Sequence, residues 1–174
     1  MKIEQYKKLV LVGFMGTGKS SVAKGLQDKL QLPIIDLDAE IVAREGRDIS
    51  AIFASDGEFA FRDIEESVLK DVLTRKSQAI IATGGGAVLR DTNKSIMLEH
   101  GLIIALKAEP DVIIQRVMHD STRPLLQGDV SKRVHDLLEQ RRHAYDFAHY
   151  SIDTTKRTLD QVVDEIMNVW KSTK

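Results

Sequence analysis

Residues 13–20 read Gly-Phe-Met-Gly-Thr-Gly-Lys-Ser and directly follow the apolar run Lys-Leu-Val-Leu-Val at 8–12. This is the G-x-x-x-x-G-K-[ST] spacing of a phosphate-binding loop in its strand–loop–helix setting. Glycines let the backbone curl until successive N–H groups face one anion, and the following helix adds the positive end of its dipole. Lys19 has the reach for β- and γ-phosphates, and the Ser20 hydroxyl is placed for Mg2+. The pattern implies a bound nucleoside triphosphate. What becomes of the γ-phosphate has to be read from other residues.

Asp36 and Asp38 flank Leu37 at the end of a second apolar run. Alternation in an extended segment would put both carboxylates on one side of a shared crevice. One carboxylate can hold Mg2+ directly or through water. The other can accept a hydrogen bond or a proton from a substrate hydroxyl, as in phosphoryl transfer. Asp38 also fits as the cap of a helix from Ala39 onward. Gly84, Gly85 and Gly86 follow Thr83, offering bare backbone N–H groups to an anion or a closely approaching ligand, or simply a permissive turn. Three arginine regions remain. Arg62 lies three residues before Glu65 in a helical pattern, where the plain reading is a surface ion pair. Arg123 precedes Pro124 in an irregular stretch and is either a solvated loop arginine or a lid group that neutralises transferring phosphate. Arg141 and Arg142 precede Tyr145 on a helical stretch and by themselves form a charged face.

The elements that must position these groups alternate along the chain. Strand patterns occupy 9–13, 33–36, 79–83, 102–107 and 150–153, and all but the last are nearly continuous apolar runs, as in a parallel sheet covered on both faces. Helical patterns cover 19–30, 39–45, 49–55, 58–76, 91–99, 110–119, 131–149 and 159–171. Five strands alternating with helices predict a doubly wound α/β fold, in which ligands collect beyond the carboxyl ends of the strands. That rule singles out the residues just discussed.

Composition excludes several alternatives. A net charge of −1 over 174 residues gives no general attraction to nucleic acid or anionic membrane, so an anion site has to be built locally. The absence of cysteine rules out disulfides and thiolate metal sites and suits a reducing cytosol. The five histidines are scattered without an H-E-x-x-H pair and read as surface or boundary residues. No apolar run approaches the roughly 20 residues of a membrane span, and residues 1–8 lack the apolar region of a signal peptide. The expectation is one cytoplasmic domain over 1–174, monomeric, with small-molecule partners only.

Taken together, 13–20, Asp36-Leu37-Asp38, 52–58, Phe61-Arg62 with Ile64-Glu65, the triple glycine, 123–126 and 141–145 closely resemble the shikimate kinase family, in family order and over nearly the whole chain. The resemblance implies a three-layer P-loop fold with a five-stranded parallel sheet in order 2-3-1-4-5. It also implies a substrate-binding helical region around 38–70 and a lid around 119–130. The implied reaction is transfer of the ATP γ-phosphoryl group to the 3-hydroxyl of shikimate, giving shikimate 3-phosphate and ADP in aromatic amino-acid biosynthesis. Carried over by position, Gly16, Thr17, Gly18, Lys19, Ser20 and Ser21 would hold the ATP phosphates, with Ser20 and Asp36 at Mg2+. Asp38 would bind and activate the hydroxyl. Arg62 and Arg141 would clamp the shikimate carboxylate, and Gly84, Gly85 and Gly86 would meet shikimate through the backbone. Lys19, Asp38 and Arg123 would form the catalytic set, with Arg123 closing over ATP.

The sequence departs from the family at two points. The family's Arg-x-Pro-Leu-Tyr helix pattern reads Arg141-Arg142-His143-Ala144-Tyr145 here, which leaves Arg142 as a substitute for Arg141. A late adenine-side contact falls on Lys156 or Arg157, with Lys156 the assigned residue. Gluconate and nucleoside-monophosphate kinases are the neighbouring readings, against which Asp38, Arg62, the glycines and Arg141 argue as a set. A GTPase would need Asn-Lys-x-Asp, whereas Asn93-Lys94 is followed by Ser95-Ile96. A non-catalytic ATP-binding regulator would have lost Lys19, Ser20, Asp38 or Arg123, and all four are present.

Overall fold

The structure, a computed structural model, describes residues 6–118 and 124–174. Five strands form one parallel sheet: β1 (Lys8–Gly13), β2 (Ile34–Asp36), β3 (Ala79–Ala82), β4 (Gly101–Lys107) and β5 (Tyr150–Asp153), in spatial order β2-β3-β1-β4-β5. β1 lies at the centre, paired with β3 on one side and β4 on the other. The expected strand order and layer architecture are both present.

Side-chain alternation divides the interior into two cores. Val10, Val12, Ile81, Ile103 and Ala105 point to one face, and Leu9, Leu11, Ile80, Ile104 and Leu106 to the other. Because each strand is covered on both sides, each reads as an unbroken apolar run. Helices α1 (Lys19–Leu30) and α7 (Leu159–Ser172) cover the second face through Val22, Leu26, Val163, Ile166 and Trp170. At Gly25 of α1 a Cβ would come within 2.8 Å of Val163, so the missing side chain lets the two helices approach. The first face carries α3 (Ile49–Thr74), α4 (Asp91–His100), α5 (Pro110–Val117) and α6 (Val130–Gln140), while α2 (Leu37–Glu45) packs beside α3. Among the described residues no helix is long and apolar enough to cross a membrane.

Several boundaries differ from the sequence expectation, and three of the differences have a clear physical reason. β1 begins at Lys8, whose side chain is fully buried and donates from Nζ to the Arg75 and Ser77 carbonyls. The last turn of α3 holds no basic residue of its own, so Lys8 serves its carbonyl end from the neighbouring strand. α2 starts at Leu37 rather than Ala39, with Asp36 as its N-cap accepting from the Ala39 N–H at 3.0 Å. The expected helices 49–55 and 58–76 are both present within α3, separated by a kink at Gly57, where φ 85 and ψ 171 are non-helical. The third change is the largest: the helix expected over 131–149 stops at Gln140. From Arg141 (φ −101, ψ 14) the chain runs through turns, with Ala144 bonded to Arg141, Asp146 to His143 and Ala148 to Tyr145.

The φ and ψ of Gly57 belong to a region open essentially to glycine. Gly57→Ala should therefore cost about 1–3 kcal/mol in urea unfolding, although nothing lies within 4 Å of the added methyl. An unchanged midpoint would show that the bend tolerates an L side chain.

Candidate active site

Two cavities open at the carboxyl end of the sheet, where a doubly wound fold places its ligands. The first, of about 400 Å3, lies over the phosphate loop and is lined by Gly16, Thr17, Gly18, Lys19, Ser20 and Ser21, with Asp36 and Asp38 on its flank. The second, of about 520 Å3, lies between α2, α3 and the turn at 141 and is lined by Arg62, Glu65, Gly86 and Arg141. Asp38, Gly84 and Gly85 border both.

The phosphate loop has the backbone its sequence implies. Gly16 (φ 75) and Gly18 (φ 101) are left-handed, and Gly18 caps α1 without any side-chain hydrogen bond to the first turn. The first N–H groups of α1 thus point into the cavity without a side-chain cap, an arrangement suited to phosphate oxygens. Lys19 Nζ donates to the Gly13 and Phe14 carbonyls at 2.7 and 2.9 Å, which holds the ammonium over the loop. The loop is braced from outside: Thr17 Oγ1 donates to Phe14 O at 2.8 Å, Thr154 Oγ1 to Thr17 O at 3.0 Å, and Arg116 to Gly16 O at 2.9 Å.

Asp36 and Asp38 do face one cavity, but not by strand alternation. Asp36 is the last residue of β2 and Asp38 lies in the first turn of α2. The strand-to-helix turn aims both. Asp36 takes the capping role that the sequence left open for Asp38, and Asp38 is directed toward Gly84, where a Cβ would stand 3.0 Å from its Oδ1.

Arg62 and Glu65 are not a surface pair. Their side chains are only 10% and 1% exposed, and Arg62 donates to Glu65 at 2.8 Å and to Glu58 at 3.3 Å. Burial pushes the Glu65 carboxyl above its usual range, and the Arg62 charge pulls against that shift. Glu65 Oε2 and Arg62 Nε are buried with no partner among the described residues, both at the wall of the second cavity. The guanidinium lies over the Phe61 ring at 5.1 Å and against Gly86, where a Cβ would come within 2.6 Å of Cζ. Gly86 is thus a glycine because Arg62 occupies the space of a side chain.

The end of α6 separates the two candidate arginines. Arg141, at the helix end, is 4% exposed, lines the second cavity and rests over the Phe14 ring at 5.7 Å. Arg142 points outward, with its side chain 69% exposed and 3.8 Å from Glu139. Arg157 lines the first cavity beside Thr158. Lys156, the residue expected at the nucleotide, is exposed and lines neither cavity. Arg123 lies outside the described residues. Of the expected lid, Leu125 lines the second cavity and Leu126 is buried.

The sequence reading missed Arg116, Thr154 and Tyr145 as parts of the site and gave Glu65 no task beyond a pair. Arg116 falls in the last turn of α5, where a cation has an ordinary helix-end explanation. Thr154 and Tyr145 act through backbone carbonyls distant in sequence, which no local pattern announces.

A nucleotide-phosphate cradle joined through an acidic residue to a second, doubly cationic pocket defines an ATP-dependent small-molecule kinase of the P-loop class. The particular family follows from comparison. The shikimate kinase family profile matches residues 15–171. The shikimate kinase of Pelotomaculum thermopropionicum is 43% identical over 95% of this chain and 96% of its own, and that of Thermodesulfovibrio yellowstonii is 42% identical over 95% of each. The structure of an Acinetobacter baumannii shikimate kinase in complex with shikimate superposes with a TM-score of 0.91 at 33% identity, covering 99% of this chain and 97% of the other. The chain belongs to the shikimate kinase family.

Without Arg62, Glu65 would be a buried carboxyl left with only the weaker pull of Arg141. A carboxyl pKa raised by folding means that the native state keeps a proton the unfolded chain releases, so stability is lost as pH rises through the folded value. Arg62→Ala should cost about 3 kcal/mol at pH 8 and less near pH 5, measured by urea unfolding at both. Equal losses would show that Glu65 is not the uncompensated group. Arg142→Ala should stay within about 0.5 kcal/mol of the parent.

Proposed function

We propose that this protein transfers the γ-phosphoryl group of ATP to the 3-hydroxyl of shikimate, with ATP in the first cavity and shikimate in the second. The observation that carries the reading is the shared border of the two cavities. Asp38, Gly84 and Gly85 stand where donor and acceptor meet, and beyond them two buried guanidiniums line a pocket of small-molecule size.

In this reading Arg62 and Arg141 take the shikimate carboxylate, whose planar oxygen pair suits the guanidinium fork. The N–H groups of Gly84, Gly85 and Gly86 meet the ring substituents at close range. Asp38 accepts the hydrogen bond of the attacking hydroxyl and takes its proton as the oxygen–phosphorus bond forms. The bond from the γ-phosphorus to the β–γ bridging oxygen breaks, and ADP leaves. With a loose transition state the proton moves late, and Asp38 orients more than it deprotonates. Lys19 and the loop N–H groups stabilise the charge that develops on the phosphoryl oxygens. Arg116 and Arg157 flank the same cavity and supply further positive charge toward the nucleotide. Arg123 and the segment 119–130 are assigned to closure over ATP by the family resemblance.

For the metal, one hydroxyl (Ser20) and one carboxylate (Asp36) line the first cavity. No cluster of three His, Cys, Asp or Glu occurs among the described residues. That donor set fits Mg2+, which keeps several waters and takes its other ligands from phosphate oxygens, and does not fit zinc. When bound, Mg2+ would neutralise phosphate charge, with Ser20 and Asp36 holding it. A cytoplasmic location suits the pathway and a chain without cysteine.

The test is ADP release with Mg-ATP against shikimate, gluconate and nucleoside monophosphates. Turnover is expected with shikimate, and activity confined to gluconate would sink the reading. Asp38→Asn should abolish turnover while ATP still binds. Arg141→Ala should raise the KM for shikimate far more than Arg142→Ala, and the reverse order would move the clamp by one residue.

A further inference from the structure

We propose that Tyr145 is a positioning residue of the acceptor pocket: its phenol fixes the Gly85 carbonyl and backs Arg141, holding both in register for the acceptor. The inference rests on the placement of shikimate in the second cavity.

Tyr145 lines neither cavity. It is 8% exposed, and its Oη donates to Gly85 O at 2.7 Å across 60 residues of sequence. That bond fixes one peptide of the glycine loop. A loop of three consecutive glycines has no side chains of its own to restrain it, so an external anchor decides where its N–H groups point. Burial pushes the Tyr145 phenol above its usual range, and the neighbouring Arg141 charge pulls against that rise. Arg141 in turn passes close to the same glycine: a Cβ on Gly85 would stand 3.6 Å from its nearer terminal nitrogen. One hydroxyl therefore sits behind the backbone and the cation that face the acceptor.

The local chain is shaped for this contact. A helix continued past Gln140 would carry Tyr145 with its own rotation rather than toward the sheet. The turns from Arg141 to Ala148 replace that path with short-range carbonyl bonds. They bring the ring into the core beside the glycine loop. Gly85 also abuts the phosphate loop, where the same Cβ position is 3.2 Å from Met15 N and 3.5 Å from Gly13 O. The anchor thus fixes the acceptor loop relative to the donor loop, and a small misplacement there is amplified in a transfer that depends on alignment.

Tyr145→Phe keeps the ring and removes only the hydroxyl. It should raise the KM for shikimate about three- to tenfold, leave the KM for ATP unchanged, and lower the melting temperature by only about 2–4 °C, the stability of one hydrogen bond. In an Arg141→Ala background the same change should add less than it does alone, because the two residues act through one arrangement. An unchanged KM for shikimate would overturn the proposal. So would a joint rise of both KM values with a larger fall in melting temperature, which marks a core residue only, and so would full additivity with Arg141→Ala. A measurement on the unaltered chain stands beside these. With tyrosine labelled at Cζ, the Tyr145 resonance should move on adding shikimate and not on adding ADP, and a resonance indifferent to shikimate would count against the proposal. Shikimate turnover by the parent protein is measured first. Its absence would remove the placement of shikimate itself, an outcome distinct from a parent that turns over shikimate while Tyr145→Phe behaves like it.

Discussion

The Arg62–Glu65 pair is the interaction on which the acceptor end of the molecule depends. Two opposite charges held almost out of water need each other, since either alone would carry a large desolvation cost. The neighbourhood is built around that need. Phe61 supplies a ring face to the guanidinium, Glu58 a second carboxylate, and Gly86 an empty space where any side chain would collide. The pair also explains the shape of α3. The bend at Gly57 lets the first half of the helix, with Ile49 and Phe53, border the cavity while the second half supplies Phe61, Arg62 and Glu65 to it. A straight helix of this length could not line a concave pocket from two directions.

A chain of net charge −1 has no spare positive field with which to hold an anionic donor and an anionic acceptor side by side. The positive charge is concentrated by topology instead. Lys19 comes from the start of α1, Arg62 from α3, Arg116 from α5, Arg141 from the end of α6 and Arg157 from beyond β5. All five elements end or begin at the carboxyl edge of one parallel sheet. The donor and acceptor halves also share material. Phe14 belongs to the phosphate loop yet lies under Arg141, and Thr154 joins the ends of β4 and β5 to that loop through Lys107 O and Thr17 O. Displacement of one half would therefore be felt in the other, which suits in-line transfer between two bound molecules.

How much was legible in the sequence depended on whether the governing interaction was local. The strands were readable because full burial on both faces leaves an unbroken apolar run. The phosphate loop was readable because its function is carried by consecutive backbone groups. The kink at Gly57 was legible as a break between two helical patterns, because the interruption is local. The end of α6 was not legible at all. Residues 131–149 contain neither glycine nor proline, and what stops the helix is the inward turn that buries Arg141 and brings Tyr145 to Gly85.

The sequence by itself determined a doubly wound parallel sheet, a phosphate loop at Gly13–Ser20, and a set of acidic, glycine and arginine residues at the strand ends. Each of those follows from periodicity or from spacing within a few residues. Only the tertiary structure decided that Arg62 and Glu65 are buried rather than solvated, that Asp36 caps α2 while Asp38 faces the glycine loop, that Arg141 rather than Arg142 turns inward, and that Arg157 rather than Lys156 reaches the first cavity. For the acceptor-side arginines the physical reason is shared: burial against partners far away in sequence takes Arg62 and Glu65 out of water and separates Arg141 from its neighbour Arg142, and no local spacing announces it. For Asp36 and Asp38 it is the strand-to-helix turn that assigns one to the cap and the other to the glycine loop.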